Sequence, residues 1–389
     1  MVKILLNILF YFSSFVIFWA MIGYPLSIRI LGHLFRKRTL EKDFTQQPSV
    51  TVMVVAHNEE KVIFDKLKNI TEINYPNDKI EFLIASDNST DGTNEIVKCF
   101  IQEHPELNIS LFEVKQRKGK TNAQNEAQKT IETEYIVLTD ANSILDQDAV
   151  KELMSAFTSD EIAYVSGRLV IKNVLSNDVS RAEATYWDKD LAVREIESRI
   201  QTITAGNGAL YACRNKDYHD FNPIECHDSA MPLYYSLRGK RAIANHDAIA
   251  YEKAGETMED EFSRKVRMSR VILGSILPNF HILNVFKYRW FTFFYLGHRT
   301  SRYLLWISHL IVLFVNVLLL FDSWFFIMTM IGQMLLFLLA FLRHFTKTKN
   351  KPLTMIYYYM ITVVAQWVGV FNIITGKAKP FWEKAETTR

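Results

Sequence analysis

Asp140, Ala141 and Asn142 close an apolar run, Tyr135-Ile136-Val137-Leu138-Thr139, that reads as a buried β-strand. At strand spacing the Asp140 carboxylate and the Asn142 carboxamide point to the same side. Both offer hard oxygen donors at the carboxyl edge of a sheet. Such donors suit Mg²⁺ or Mn²⁺, ions that commonly complete their shell with substrate phosphates. Taken alone, Asp-Ala-Asn could equally be a turn; its position after a buried strand favours a metal site facing a diphosphate.

Four further clusters carry chemistry. In Ser86-Asp87-Asn88-Ser89-Thr90-Asp91-Gly92-Thr93, Asp91 reads as a helix cap, whereas Asp87 lies nearer the strand end and could accept hydrogen bonds from a nucleobase or ribose. Lys118-Gly119-Lys120-Thr121-Asn122 lacks the Walker spacing. It is either a solvated basic turn or a lysine entering a helix N-terminus to help hold a diphosphate. Glu225-Cys226-His227-Asp228 is either a surface turn or the source of a general base. Asp228 is the chosen base, the carboxylate that would take the proton from an attacking hydroxyl. Arg264, Arg267 and Arg270 stand three residues apart, a band of ~120° on a helix. They form either a basic face towards a membrane or bidentate contacts to a departing nucleoside diphosphate.

The elements that position these residues alternate. Val50–Ala56, Ile80–Ala85, Ile109–Val114 and Tyr135–Thr139 read as strands, and helices are predicted from Glu59, Asp91, Thr121 and Asp146. That alternation predicts an α/β domain with a Rossmann-like, mostly parallel sheet covered on both faces. Ligands of such sheets bind beyond the carboxyl ends of the strands. Ala56-His57-Asn58-Glu59, Asp87 and Asp140 fall at those ends.

The 49% apolar content, with 27 Phe and 17 Tyr, is concentrated at the two ends of the chain. Ile4 to Ser27 is long enough to span a bilayer, and Tyr303–Phe321, Trp324–Phe341 and Leu353–Thr375 are three more candidates. Lys3 alone precedes the first run, whereas Arg29, Arg36, Lys37 and Arg38 follow it, which places the next domain in the cytoplasm. Arg343, Lys347, Lys349 and Lys351 mark another cytoplasmic loop. Four crossings would put the tail outside, yet Lys377, Lys379, Lys384 and Arg389 make it basic, so one segment must fail to cross or the tail is an exception. Ile276–Leu296 reads as a helix lying in the interface. The predicted organisation is a transmembrane helix with a basic juxtamembrane segment at 1–38, a cytoplasmic domain at 39–275, and an interfacial helix, about three transmembrane helices and a basic tail at 276–389. A net charge of +3 is too small to imply a nucleic-acid partner, and no basic-aromatic stripe is present. Cys99, Cys213 and Cys226 have no CxxC spacing, which argues against a zinc site or disulfide framework.

Taken in order, Val54-Val55-Ala56-His57-Asn58-Glu59, the Ser86–Thr93 turn, Lys120 to Asn125, Asp140-Ala141-Asn142, Gly206-Asn207-Gly208-Ala209, Asp228 and the arginine-rich helix resemble a membrane-bound family-2 glycosyltransferase. The resemblance implies a GT-A fold, an inverting reaction, a nucleotide-sugar donor of UDP type and Mg²⁺ or Mn²⁺ on Asp140 and Asn142. It implies donor contacts from Asn58, Glu59, Asp87, Lys118, Lys120, Arg264, Arg267 and Arg270, a sugar or acceptor pocket at Gly206, Asn207, Gly208 and His227, and Asp228 as base. The implied partners are a glycan or lipid-linked acceptor, the lipid bilayer and other polysaccharide-assembly proteins. The chain departs from the family pattern in three places. Asn142 stands where a second acid is usual, and Cys226-His227 replaces an acidic pair. Arg267-Met268-Ser269-Arg270-Val271 replaces the Gln-x-x-Arg-Trp of processive synthases, without the aromatic platform for an acceptor sugar. Polymer synthesis and single addition to a lipid-linked acceptor therefore both stay open. So do two other classes: a nucleotidyltransferase, which would not need Asp228, and a catalytically silent nucleotide-sugar-binding partner, which Asn142 slightly favours but intact Asp140 and Asp228 argue against.

Overall fold

The computed structural model describes residues 1–35, 39–174, 178–255, 257–346 and 350–381. Arg36, Lys37, Arg38, Lys347, Lys349, Lys384 and Arg389 lie outside the described residues. The strands are β1 (Val50–Ala56), β2 (Ile80–Ser86), β3 (Ile109–Glu113), β4 (Tyr135–Asp140), β5 (Ile144–Leu145), β6 (Ile162–Ile171), β7 (Leu210–Arg214) and β8 (Arg241–Glu252). They form one mixed, mostly parallel sheet of order β3-β2-β1-β4-β7-β6-β8-β5. Val50, Val52 and Val54 of β1 enter one core cluster and Met53 and Val55 the other, so this strand is buried on both faces.

Register explains why the motifs meet. β1 runs parallel to β2 and β4, with Ala56 opposite Ser86 and Val55 opposite Asp140. Their carboxyl ends therefore finish on one edge. β7 runs antiparallel to β4, with Leu210 opposite Thr139. Its entry loop, Gly206 to Ala209, is thereby delivered to the same edge. The four predicted strands stand, whereas β6 to β8 complete the sheet beyond that reading.

The helices are α1 (Val2–Phe18), α2 (Tyr24–Leu34), α3 (Ile63–Thr71), α4 (Thr93–Glu103), α5 (Lys120–Gln128), α6 (Ala149–Ser155), α7 (Asp178–Ile200), α8 (His227–Leu237) and α9 (Met258–Met268). Beyond them come α10 (Trp290–Tyr303), α11 (Leu305–Leu318), α12 (Trp324–Thr346) and α13 (Lys351–Ile374). α1 and α2, joined by a π-helical turn, form one stretch of 33 residues apolar enough to cross a membrane; α12 and α13 also meet that test, and α10 with α11 forms a pair bent by 59°. The predicted interfacial helix over Ile276–Leu296 is instead broken. Asn279 and Asn284 accept hydrogen bonds from the His281 and Lys287 amides, capping short turns, and Arg289 takes a left-handed φ of 53° just before α10 begins. The span expected at Tyr303–Phe321 accordingly extends back to Trp290 with a bend.

α7 joins the two parts of the molecule. Asp190, Arg194 and Glu197 share one buried face of it, at helical spacing. Asp190 meets Arg194 at 2.6 Å, Arg302 at 2.5 Å and His298 at 3.0 Å, while Glu197 accepts from Tyr24 at 2.6 Å and faces His298 at 2.7 Å. Gly297 and Gly32 let the helices close on this network. A Cβ on Gly297 would stand 2.2 Å from the Tyr24 ring, and one on Gly32 2.8 Å from Ile196. Gly297→Ala should therefore push Tyr24 off Glu197 and cost about 1–3 kcal/mol, as overpacking does. A thermal midpoint measured in detergent should fall, and an unchanged midpoint would show that the junction can relax.

Candidate active site

Three charged side chains converge on Gly208. α5 opens at Gly119, whose φ of 98° is a conformation that favours glycine. The next residue, Lys120, directs its Nζ to Asp140 Oδ1 and reaches the Gly208 carbonyl at 3.4 Å. A Cβ on Gly208 would lie 3.3 Å from Lys120 Nζ, 3.6 Å from Asp140 Oδ2 and 3.9 Å from Asp228 Cγ. Gly208 is thus the floor of one cleft, and both aspartates open onto it. Asp228 sits in the first turn of α8, and its backbone carbonyl accepts from the Gly206 amide at 2.7 Å.

Electrostatics follow from that geometry. Burial raises the Asp228 carboxyl above the usual range and Asp140 adds to the rise, against the opposing pull of Lys120, Arg194 and Arg299. Burial works against the Lys120 ammonium, but Asp140 and Asp228 outweigh it and hold its pKa above the ordinary value. The lysine therefore stays charged between two carboxylates.

The other predicted site residues divide into groups. Asp87 is buried and accepts from the backbone amides of Lys118 at 3.1 Å and Gly119 at 2.9 Å, so it fixes the loop that presents Lys120. Lys118 itself is exposed. Asn58, at φ 54°, accepts from the Thr90 amide at 2.7 Å, and the Glu59 amide donates to Thr93 Oγ1 at 2.7 Å; both bind the β1 loop to the β2 loop. Asn142 is half-buried in the turn after Asp140. Asn207 is buried and accepts from the Ala209 and Leu210 amides at 3.2 Å each, which shapes the Gly206–Gly208 loop from behind.

Two assignments need correction. His227 does not line the acceptor pocket: it is 1% exposed, its Nδ1 faces Gln124 Oε1 at 2.6 Å, and burial drives its pKa down to about 3. Residues one apart on a helix diverge by ~100°, so Asp228 turns to the cleft while His227 turns to the core. Arg264 is held by Glu261 at 2.7 Å and Glu183 at 3.0 Å, an ionic cluster rather than a donor contact. Arg267 stays with the site. Burial first, then Arg264 and Arg270, bring its pKa down to about 10, and it feels the charge of Asp140. Arg270 donates to the Pro380 carbonyl at 2.9 Å and to Cys226 Sγ at 3.3 Å.

Some contributors escaped the sequence reading. Lys66 is fully buried and donates to the Ser143 carbonyl at 2.6 Å and Thr139 Oγ1 at 3.2 Å, directly behind Asp140. Burial brings its pKa down to about 7. Its signal was present: Lys66 occupies the apolar face of α3 with Ile63, Leu67 and Ile70. Arg194, which donates to the Gly206 carbonyl, was likewise overlooked.

Among the described residues no group of three His, Cys, Asp or Glu side chains gathers to enclose a metal ion. The cleft instead offers the partly exposed Asp140 carboxylate, the Gly208 carbonyl and the nearby Asn142 amide. That sparse oxygen set fits a Mg²⁺ or Mn²⁺ ion whose remaining positions go to diphosphate and water.

A mostly parallel sheet that gathers Asp140, Lys120 and Asp228 at one edge suits transfer from a phosphate-bearing donor. Comparison with known proteins agrees. The profile of Glycosyl transferase family 2 matches residues 51–218, and that of Glycosyl transferase family group 2 matches residues 135–343. The chain belongs to the family-2 glycosyltransferases and is an enzyme of that family. It is 28% identical over 187 residues to a beta-monoglucosyldiacylglycerol synthase of Nostoc sp., covering 47% of this chain and 40% of the relative. It is 27% identical over 169 residues to a poly-beta-1,6-N-acetyl-D-glucosamine synthase of Staphylococcus epidermidis, covering 43% of this chain and 40% of the relative. The matches thus span about two-fifths of these relatives' lengths. In fold, the chain is similar to a mannosyltransferase from Pyrobaculum calidifontis solved with GDP-Man and Mn²⁺. The TM-score is 0.72 at 20% identity, covering 95% of this chain and 99% of that one.

A raised Asp228 pKa has a kinetic consequence. In the role of base that the sequence suggests for it, Asp228 must be ionised, so activity falls as pH drops through its pKa. The acid limb of kcat/KM should therefore lie above the ordinary carboxylate value of ~4. A pH-rate profile with no acid limb, or with one at the ordinary value, contradicts this environment for the base.

Proposed function

We propose that this enzyme is an inverting glycosyltransferase that moves a sugar from a nucleotide-sugar donor, of UDP type, to a membrane-associated glycan or glycolipid acceptor in cell-surface synthesis. The convergence of Lys120, Asp140 and Asp228 over Gly208 carries the reading. An acceptor hydroxyl oxygen attacks the anomeric carbon from the face opposite the diphosphate. Asp228 takes its proton as the bond to the leaving oxygen breaks. Lys120 and Arg267 neutralise charge on the departing nucleoside diphosphate, where a well-aimed donor is worth ~10²–10³ in rate. A divalent cation held by Asp140, with Asn142 beside it, would add electrostatic stabilisation of that same diphosphate.

Two contacts support a membrane arrangement. Lys3 pairs with Asp322 at 3.1 Å, which sets the start of α1 beside the α11–α12 loop. At the other end of the chain, the Pro380 carbonyl lies against Gly119, 2.6 Å from where a Cβ would be, so the tail reaches the catalytic cleft. α13 lies along α9, with Tyr358 donating to Glu261 at 2.7 Å and Gly369 packed on Ser269. The apolar window of α13 is 44% buried against 11% for α12. This favours three crossings, by α1–α2, α10–α11 and α12, with α13 held at the cytoplasmic interface. The basic tail then sits inside, which satisfies the charge rule that four crossings violate.

Asp228→Asn should lower transfer by at least ~10³-fold while nucleotide-sugar binding survives, and Asp140→Ala should weaken binding of the donor in the presence of Mn²⁺. Release of UDP or GDP from a panel of donors, alongside a donor-binding measurement, checks both; full turnover by Asp228→Asn removes the assigned base. For topology, Lys377→Cys in a Cys99→Ser background should react with an impermeant maleimide only from the cytoplasmic side of membrane vesicles. Labelling from the outer side would restore a fourth crossing.

A further inference from the structure

A second cavity, of about 880 Å³, opens beside the catalytic cleft where the helices of the two parts meet. Its mouth is apolar. Met21, Ile22, Leu26 and Met355 line it and are all exposed, on helices long and apolar enough to lie in a bilayer. Its wall is basic: nine lining residues are Lys or Arg and two are Asp. Both acids are accounted for, Asp190 inside the α7 network and Asp188 near Arg168 at 4.0 Å. Two of the arginines are left over. Arg29 is exposed and has no ion-pair partner among the described residues. The buried Nε of Arg299 has no hydrogen-bond partner there either, and the guanidinium stacks at 4.9 Å on Tyr303. Arg299 is presented by the π-helical turn Tyr295–Thr300, a distortion that often marks functional sites.

At Ala205 the cavity adjoins the loop that holds Asp228. Ala205 lines it, one residue before the Gly206 whose amide holds the Asp228 carbonyl. Arg299 is close enough for its charge to act on Asp228. An apolar mouth in the bilayer, a basic wall and an inner end at the base describe an amphiphile, tails outward and head inward. A neutral head group would leave the positive wall uncompensated in a low-dielectric place.

We propose that this cavity is the acceptor site and that its occupant is a lipid whose head group carries a phosphate anion beside the hydroxyl to be glycosylated. The phosphate lies on Arg299 with Arg29 at the entrance, and the hydroxyl reaches Asp228. The inference rests on Asp228 as the base. In the transfer the hydroxyl oxygen bonds to the anomeric carbon, its proton passes to Asp228, and the nucleoside diphosphate leaves with the electron pair of the broken bond.

The test uses the full chain in detergent and two short lipids with the same tails, dioctanoylphosphatidylglycerol and dioctanoylglycerol. Binding is read by the part of the tryptophan fluorescence change that Trp187→Phe removes, Trp187 being the indole that lines the cavity. The charged lipid should bind at least ~10-fold more tightly, the range of a charge-assisted contact. Arg299→Gln and Arg29→Gln should each erode that preference while UDP binding with Mn²⁺ is unchanged. Arg29→Gln, at an exposed position, keeps the test informative should Arg299→Gln fail to fold. Equal binding of the two lipids, or a preference that survives both substitutions, overturns the proposal. Asp228→Asn separates the two readings. It should abolish transfer and keep the lipid preference; transfer that persists beside an intact preference would remove the base and leave the lipid site standing.

Discussion

Asp190 is the point on which the two parts of this molecule hang. Its carboxylate is buried, and burial alone would favour the neutral acid, but Arg194, Arg302 and His298 hold its pKa well below the usual range. A charge so enclosed tolerates no partial solution, because removing one partner of a buried pair typically costs about 3–5 kcal/mol. Arg302 and His298 come from α10, the first helix of the apolar bent pair, and Arg194 from α7 itself. The angle between the two parts is therefore fixed by ionic geometry rather than by apolar contact alone. Arg194 carries the constraint inward: its guanidinium also donates to the Gly206 carbonyl, and the Gly206 amide donates to the Asp228 carbonyl. Asp228 is thus held by the same network that joins α7 to α2 and α10.

A second balance operates in the cleft itself. Asp140 and Asp228 both stand beside Gly208, and the Asp140 charge adds to the rise that burial gives the Asp228 pKa. Lys120 acts in the opposite direction on Asp228. Its own position is set from the backbone, since Asp87 clamps the Lys118 and Gly119 amides just before it. Arrival of a diphosphate with a divalent ion would bring charges of both signs to this cleft, so the lysine can turn from the carboxylate to the phosphate at little electrostatic cost. The residue with the strongest claim to donor chemistry is therefore also the one that preserves the cleft without donor.

Much of this was legible in the chain. Short Val- and Ile-rich runs ending in Asn58, Asp87 and Asp140 specify parallel strands whose ends share an edge, because register leaves them little freedom. The approach of Asp228 to that edge was less accessible. It depends on β7 running antiparallel to β4, a long-range pairing that local periodicity does not encode. His227 misled for a different reason: a histidine beside a catalytic acid looks functional, but one residue of helical rotation separates core from cleft. The α7 network was hidden because Asp190, Arg194 and Glu197 look like an ordinary solvated helix face. Only the partners from α2 and α10 show that the face is buried.

The arginine row shows how equal spacing can divide labour. Arg264 and Arg267 lie on α9, whereas Arg270 falls in the 3-10 turn Ser269–Val271 that follows it, and their contacts differ. Arg264 turns into the Glu183–Glu261 cluster and anchors α9. Arg267 is buried and feels the charge of Asp140. Arg270 reaches past Cys226 to the backbone of Lys379 and Pro380, which draws the end of the chain over Gly119. The same Gly119 is held by Asp87 through its amide. A single backbone position thereby receives the donor-loop clamp from one side and the tail from the other. Because α13 lies along α9, the anchoring of Arg264 and the reach of Arg270 act together to bring Lys379 and Pro380 to the loop that presents Lys120.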